Sequence, residues 1–140
     1  MADYKGVMVF AEVLNGKLAP IATEGLGCGR KLAGGLGQEL CAVVLGSGLG
    51  EVAKEAIAFG ADKVYTVDDP LLKDYQSDAY LTVMEKVAKQ VTPQIIIFGQ
   101  TAIGRDLAPR LASRLNSSAT MDCVDLSIDP FRLRRGRHRI

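Results

Sequence analysis

The chain has 140 residues, of which 48% are hydrophobic and 24% charged, and its formal net charge is +1. This balance is typical of one globular domain with a hydrophobic core and excludes a chain that is disordered throughout. The longest apolar runs fall far short of the roughly 20 residues that a membrane-spanning helix needs. The first residues also lack the pattern of a secretory signal, so we expect a cytoplasmic protein.

The sequence offers little material for catalysis or metal binding. Its three cysteines, Cys28, Cys41 and Cys123, form an odd set without CxxC spacing, which argues against a disulfide framework and a cysteine-rich metal site. We expect them to be ordinary core thiols. The one histidine, His138, lies in the last ten residues, so no histidine-based triad is expected in the folded body. The sequence therefore predicts no catalytic residue and no metal site.

The charge is unevenly distributed along the chain. Residues 131–140 hold five arginines and no acidic residue, which leaves 12 basic and 16 acidic residues, a net charge of −4, for the rest. We expect one domain over residues 1–129 and a basic, disordered tail over 130–140. Such a tail can pair with phosphates. It lacks the interleaved aromatic residues and the reading helix of a nucleic-acid-binding protein, so nucleic acid is not a favoured partner.

Strand-like and helix-like segments alternate along the chain. Strands are predicted over 4–13, 39–46, 61–67, 93–99 and 123–128, and helices over 20–37, 51–60, 78–91 and 106–115. Asn15 and Gly16 both tolerate positive φ and predict a turn. In the helix over 51–60, Val52, Ala56 and Ile57 are expected to face the core. The alternation predicts a mainly parallel sheet with right-handed crossovers, covered by helices in a three-layer α/β sandwich.

A glycine-rich segment in the first helix invites comparison with dinucleotide-binding loops. Its spacing is GxGxG rather than GxGxxG, and it begins a dozen residues after the first strand instead of joining that strand to a helix. We therefore expect these glycines to allow close packing of the helix on the sheet. The glycines concerned are Gly25, Gly27, Gly29, Gly34, Gly35 and Gly37.

The stretch "IIIFGQTAIGRDLAPRLASRL", residues 95–115, resembles a phosphate-binding loop in part. Gly99 and Gly104 bracket four residues, but Arg105 stands where that loop has lysine and Asp106 where it has serine or threonine. A weaker interpretation remains, in which a helix N-terminus holds an anion or a nucleotide at the carboxyl edge of the sheet. The residues of that candidate edge are Glu12, Gly99, Thr101, Gly104 and Arg105.

A structural interpretation of the same stretch explains more of its residues. Leucines and alanines recur at helical spacing from Leu107 to Leu115 and predict an apolar face. A helix that begins near Arg105 would place Asp106 and Pro109 close to its start, where a negative charge and a missing amide are tolerated. Three arginines, Arg105, Arg110 and Arg114, then face outward and form a candidate interface with solvent, a carboxylate or another subunit.

The strings "GADKVY" (residues 60–65) and "GRDLAPRLASRL" (residues 104–115) are distinctive. With "GVMVFAEVLNGKLAPIATEGL", "ELCAVVLGSG" and the segment from residue 93 to 129, they resemble the N-terminal domain of the electron transfer flavoprotein alpha subunit over about residues 4–129. The resemblance implies a flavodoxin-like or adenine nucleotide alpha hydrolase-like fold. It also implies a subunit of an αβ heterodimer in which FAD carries electrons from dehydrogenases to a downstream acceptor.

The resemblance further implies where the cofactors are held. FAD is expected on a C-terminal domain of the alpha subunit. The chain departs from the family pattern after Asp129, so we expect that domain to be missing from it. AMP or a second FAD is expected in the β subunit. The chain would then be the scaffold and β-subunit docking domain of an electron carrier rather than a catalyst. Without a β subunit, the surface that docks it would be exposed, and a homo-oligomer is then expected to be possible. The alternative is a stand-alone adenine-nucleotide-binding module that uses the candidate edge.

Overall fold

The structure is a computed structural model that describes residues 5–115, 126–128 and 133–135. In chain order, its elements are β1 (Val7–Phe10), β2 (Val13–Leu14), β3 (Lys17–Leu18), α1 (Pro20–Leu36), β4 (Leu40–Gly46), α2 (Gly50–Ala58), β5 (Lys63–Asp68), a short 3-10 helix (Pro70–Leu72), α3 (Ser77–Val91), β6 (Ile95–Ile97), α4 (Ala102–Arg114), β7 (Leu126–Ile128) and β8 (Leu133–Arg135).

The main sheet has four parallel strands in the order β5-β4-β1-β6. One face packs against α1 and α2, and the other against α3 and α4, so the molecule has three layers. The central strand β1 is buried along its whole length, and its side chains alternate between the two cores. Val9 belongs to the first core and Met8 to the second. The predicted three-layer α/β sandwich with a mainly parallel sheet is confirmed.

Glycines let α1 approach the sheet at Gly25 and Gly29. A Cβ on Gly29 would lie 2.7 Å from a methyl carbon of Leu40 and 3.0 Å from one of Val9, and a Cβ on Gly25 would lie 3.2 Å from Val9. The space around Gly27 and Gly34 is open. The predicted packing role is therefore confirmed for Gly25 and Gly29 and wrong for Gly27, Gly34 and Gly37; Gly37 instead caps the helix with a positive φ of 65°.

Two predicted local features have different outcomes. Asn15 has a φ of 53° and Gly16 a φ of 76°, so the predicted turn is confirmed as the loop between β2 and β3. Ile57 was expected in the core, but its side chain is 57% exposed. Val52 and Ala56 define the buried stripe of α2, and Ile57 is rotated by about 100° from Ala56, since a helix has 3.6 residues per turn.

The helix α4 begins at Ala102, four residues before its predicted start. Asp106 is therefore not in the first turn, and the predicted interaction of its charge with the helix dipole is wrong. Pro109 lies inside the helix, where it cannot donate to the carbonyl group of Arg105. The sequence pattern missed this start because Ala102, Ile103 and Gly104 include no charged residue and look like a loop.

The predicted fifth strand pairs differently from the other four. Its described part, β7, is antiparallel to β8 and lies beside α1, instead of extending the parallel sheet. The strand β8 includes Leu133–Arg135, which fall in the segment where the sequence predicts a disordered tail. The remaining residues of the tail, His138 among them, and Cys123 lie outside the described residues.

Candidate functional site

The strand order creates a switch point between β1 and β6. From β1 the chain crosses through α1 to β4 on one side, whereas β6 is reached through α3 and lies on the other side of β1. In open sheets of this type, ligands bind at the carboxyl ends of the strands where the order reverses. Glu12 follows β1 at this edge, and Gly99 follows β6. The candidate edge named from the sequence thus lies at the position where this architecture holds ligands.

A hydroxyl group connects the two sides of the switch point. The Thr101 hydroxyl group donates a hydrogen bond of 2.6 Å to the carboxylate of Glu12 and accepts one of 3.1 Å from the backbone N–H of Gly104. Thr101 is the N-cap of α4, so its side chain satisfies one of the four unpaired amides at the helix start. The structure therefore brings Glu12, Thr101 and Gly104 into one connected group.

Close backbone packing fills the rest of this edge. A Cβ on Gly104 would overlap the carbonyl oxygen of Gly99. A Cβ on Gly99 would lie 2.7 Å from a side-chain carbon of Ile21, at the start of α1, and 3.2 Å from a carboxylate oxygen of Glu12. Both glycines are required because the starts of α1 and α4 meet at this point. The contact with Ile21 was not anticipated, since apolar residues at a helix start carry no distinctive pattern.

The pyrophosphate group of a flavin or an adenine nucleotide would lie at this edge in a sheet of this type. The N-terminus of α4 lies against Gly99, its Gly104 amide is bound by Thr101, and the carboxylate of Glu12 accepts a hydrogen bond from Thr101 at the same point. An anionic ligand gains from free amides and positive charge, and it is repelled by a carboxylate. The Glu12 carboxylate and the occupied Gly104 amide argue against a dinucleotide phosphate at this edge, and we assign no cofactor step to it.

The three candidate interface arginines of α4 differ in their surroundings. Arg110 donates from Nε to Asp106 at 3.0 Å, and Arg114 donates to Glu85 of α3 at 3.1 Å. Arg105 is exposed, and within the described part of the chain its side chain has neither a hydrogen bond nor an ion pair. Of the three arginines, Arg105 can therefore bind a partner's carboxylate without breaking a contact within the chain.

Asp106 is the centre of a polar cluster that sequence reasoning missed. Its carboxylate accepts hydrogen bonds from the hydroxyl groups of Tyr75 at 2.5 Å and Ser77 at 2.8 Å, besides the bond from Arg110. These donors, Tyr75 first, lower the pKa of Asp106 from its usual 3.8 to about 2. Burial and the hydrogen bond to Asp106 raise the pKa of Tyr75 to about 12. The two segments are about 30 residues apart, so no spacing motif could reveal the cluster.

Two further carboxylates at the carboxyl edge are occupied by backbone amides. Asp68, at the end of β5, accepts hydrogen bonds from the N–H groups of Gly48 at 2.9 Å and Leu49 at 3.0 Å, and these bonds lower its pKa. Asp69 accepts one from Leu71 at 2.9 Å. Both carboxylates therefore hold the loops before α2 and after β5, which is a structural task.

Among the described residues, no buried side chain is polar or charged, and no group of histidine, cysteine, aspartate or glutamate could hold a metal ion. Cys41 is buried, which raises the pKa of its thiol to about 11, and Cys28 is half-buried. No helix within the described ranges has the length and apolar character needed to cross a membrane.

Residues 7–136 match the model of the electron transfer flavoprotein domain family, which is far more than half of the chain. The chain belongs to the electron transfer flavoprotein family. The match confirms the resemblance to this family and continues into the segment predicted to be a tail. It also agrees with the α/β fold of the described residues.

Several curated relatives of the chain are electron transfer flavoprotein alpha subunits. The alpha subunit of Thermoanaerobacterium thermosaccharolyticum is 48% identical over 129 residues, which is 92% of this chain and 39% of that protein. That of Bacillus subtilis is 40% identical over 124 residues, 89% of this chain and 38% of the relative. The acryloyl-CoA reductase electron transfer subunit beta of Anaerotignum propionicum is 44% identical over 127 residues, 91% of this chain and 35% of the relative. The chain therefore spans less than two fifths of the length of these relatives.

Proposed function

We propose that this chain is the scaffold and β-subunit docking domain of an electron transfer flavoprotein alpha subunit. It would support FAD-mediated electron transfer from dehydrogenases to a downstream acceptor in the cytoplasm. The observation that carries the proposal is the alignment of about nine tenths of the chain with alpha subunits of this family. In this proposal FAD is held outside the described residues, and AMP or a second FAD belongs to the β subunit.

The described surface of α4 supports a docking role. Arg105 is a cation with no internal partner, on a helix whose opposite side is anchored in the core by Leu107 and Leu111. A rigid helix that carries an unpaired charge can orient a partner with a complementary carboxylate. We therefore include Arg105 in the proposed docking surface. Arg110 and Arg114 lie further along the same helix and on other sides of it, paired with Asp106 and Glu85, and remain candidate interface residues.

The competing hypothesis is a stand-alone adenine-nucleotide-binding module that uses Glu12, Gly99, Thr101, Gly104 and Arg105. In favour of it, these residues follow the strands on either side of the switch point. Against it, the Glu12 carboxylate is bonded to Thr101 at the place where phosphates would lie, and the Gly104 amide is already bound. The geometry thus supports the scaffold function better.

A binding experiment tests the docking proposal. The full chain is purified with an electron transfer flavoprotein β subunit, and the dissociation constant is measured for the parent chain and for two charge reversals. Arg105→Glu should weaken binding at least about tenfold, because a charge is reversed at the interface. Lys54→Glu is the matched control, since Lys54 lies on α2 on the opposite face of the sheet with its side chain 78% exposed.

Each outcome of that experiment bears on a separate claim. If the parent chain does not bind the β subunit, the docking function is wrong. If the parent chain binds but both reversals have the same effect, the function stands and Arg105 is not in the interface.

The nucleotide hypothesis is tested by adding AMP or ATP and recording the melting temperature. A ligand at a hundred times its dissociation constant adds about 2.7 kcal/mol, whereas the scaffold function predicts an unchanged melting temperature.

A further inference from the structure

The turn between β2 and β3 contains a chemically reactive pair of residues that the proposed function does not use. Asn15 and Gly16 occupy the two loop positions, both with positive φ and both exposed to solvent. Two-residue hairpin loops favour the Asn-Gly pair because each position requires a left-handed backbone. The same pair places the side-chain amide of Asn15 next to the backbone nitrogen of Gly16. Because glycine has no Cβ, no side chain shields that nitrogen.

We propose that Asn15 is a site of spontaneous modification, at which the side-chain amide is converted to an acid through a cyclic imide. The backbone nitrogen of Gly16 loses its proton and attacks the side-chain carbonyl carbon of Asn15. A carbon–nitrogen bond forms, the bond to the side-chain nitrogen breaks, and ammonia leaves. Water then opens the five-membered ring at either carbonyl, which gives aspartate or an isoaspartate linked through its side chain. The whole process consumes one water, releases one ammonia and requires no oxidant.

The surroundings of the turn favour this reaction. The space around Gly16 is open, since a Cβ built there has no atom within 4 Å. The attack requires Asn15 to rotate out of its left-handed conformation, and just two residue pairs, Val13 with Leu18 and Leu14 with Lys17, resist that rotation. Hairpins this short are marginally stable by themselves. Leu14 is 59% exposed, so its side chain also provides little packing against opening of the turn.

The modification would change the hairpin in two ways. Either product lowers the net charge of the chain by one unit from +1 at neutral pH. Isoaspartate also inserts an additional carbon into the backbone, which a two-residue loop of fixed geometry does not accommodate. The hairpin connects Glu12 to the start of α1, where the N–H of Ala19 donates a hydrogen bond of 2.9 Å to the carbonyl oxygen of Glu12. Modification at Asn15 would therefore loosen the connection on one side of the switch point.

The second asparagine of the chain, Asn116, precedes Ser117 and is an internal reference. The folded chain is incubated at mildly alkaline pH, digested with trypsin, and analysed by mass spectrometry of the peptides 6–17 and 115–132. Isoaspartate is measured with a methyltransferase specific for that residue. We expect Asn15 to convert at least about tenfold faster than Asn116, which corresponds to an activation barrier lower by about 1.4 kcal/mol. The rate should rise with pH because the attacking nitrogen must be deprotonated.

The variant Asn15→Gln is the matched control, because it keeps an amide but requires a six-membered ring. It should remain unmodified in peptide 6–17 while Asn116 converts at the parent rate. Equal rates at Asn15 and Asn116 in the folded chain would overturn the proposal. It would also be overturned if Asn15 converted only after the chain had been unfolded in urea, since the native turn would then protect it.

Discussion

The contact between α4 and Gly99 makes a quantitative prediction for Gly104→Ala. The new Cβ would overlap the carbonyl oxygen of Gly99, a backbone atom that cannot rotate away as a side chain would. To reach an ordinary van der Waals contact, the start of α4 must move by about 1 Å or more. This movement would disturb the hydrogen bond of 2.6 Å from Thr101 to Glu12 and the packing of Leu107, which is fully buried.

The magnitude follows from two opposing terms. Overpacking of this kind costs about 3 kcal/mol, at the upper end of the usual range because the clash involves backbone. Replacement of glycine by alanine inside a helix recovers about 1 kcal/mol. We therefore expect Gly104→Ala to lower the free energy of unfolding by about 2 kcal/mol and the melting temperature by roughly 8 °C.

Urea denaturation followed by circular dichroism measures this change, provided that the slope with denaturant stays constant. Gly27→Ala is the matched control, since Gly27 lies inside α1 with open space around it. It should raise the free energy of unfolding by about 1 kcal/mol. If Gly104→Ala also stabilises the chain, or changes it by less than about 0.5 kcal/mol, the close approach of α4 to Gly99 does not exist in solution.

Three further predictions concern α4 and its contacts. The pKa of Asp106 in the folded chain, about 2, is below the usual 3.8, so its carboxylate stabilises the chain above pH 3.8 and loses this effect as the pH falls toward 2. In Asp106→Asn the urea midpoint should therefore depend less on pH between about pH 4 and 2. The same pH dependence in the variant and the parent chain would contradict this. Thr101→Val should cost about 1 kcal/mol in urea denaturation, and Thr101→Ser should restore most of it; equal losses would argue against the hydroxyl cap. Leu111→Ala should lower the free energy of unfolding by about 3 kcal/mol as a core truncation. Leu71→Ala, at a side chain 79% exposed, should change the free energy of unfolding by less than about 0.5 kcal/mol.

The sequence predicts the layers of this fold well because the buried strands are almost wholly apolar. The run around Val43 leaves no polar face, so a strand covered on both sides by helices is the consistent solution. The turn at Asn15 could also be predicted from the sequence, because few residue types tolerate positive φ at two successive positions. Periodicity was less reliable on α2, where Ile57 adjoins the buried stripe but points to solvent.

The candidate site was predictable in position but not in its contacts. Residues that end parallel strands meet at one edge, so Glu12 and Thr101 could be placed together from the element order. The side chains that surround Asp106 come from a segment about 30 residues earlier, and their approach depends on how α3 packs beside α4. The start of α4 was also missed, since its cap is a single threonine within an uncharged stretch.

Pro109 lies inside α4, and we expect the parts of the helix before and after it to open separately. The carbonyl of Arg105 receives no amide from position 109, so the ladder of helical hydrogen bonds is interrupted near the middle of the helix. In the first part, Thr101 caps the helix at the sheet edge by accepting a hydrogen bond from the N–H of Gly104. In the second part, Arg114 forms an ion pair with Glu85 of α3. Amide protons of the two parts should therefore exchange with solvent at different rates, as two cooperative units within one helix. Under the docking proposal, a β subunit bound at Arg105 should slow amide exchange in the first part and leave the second unchanged.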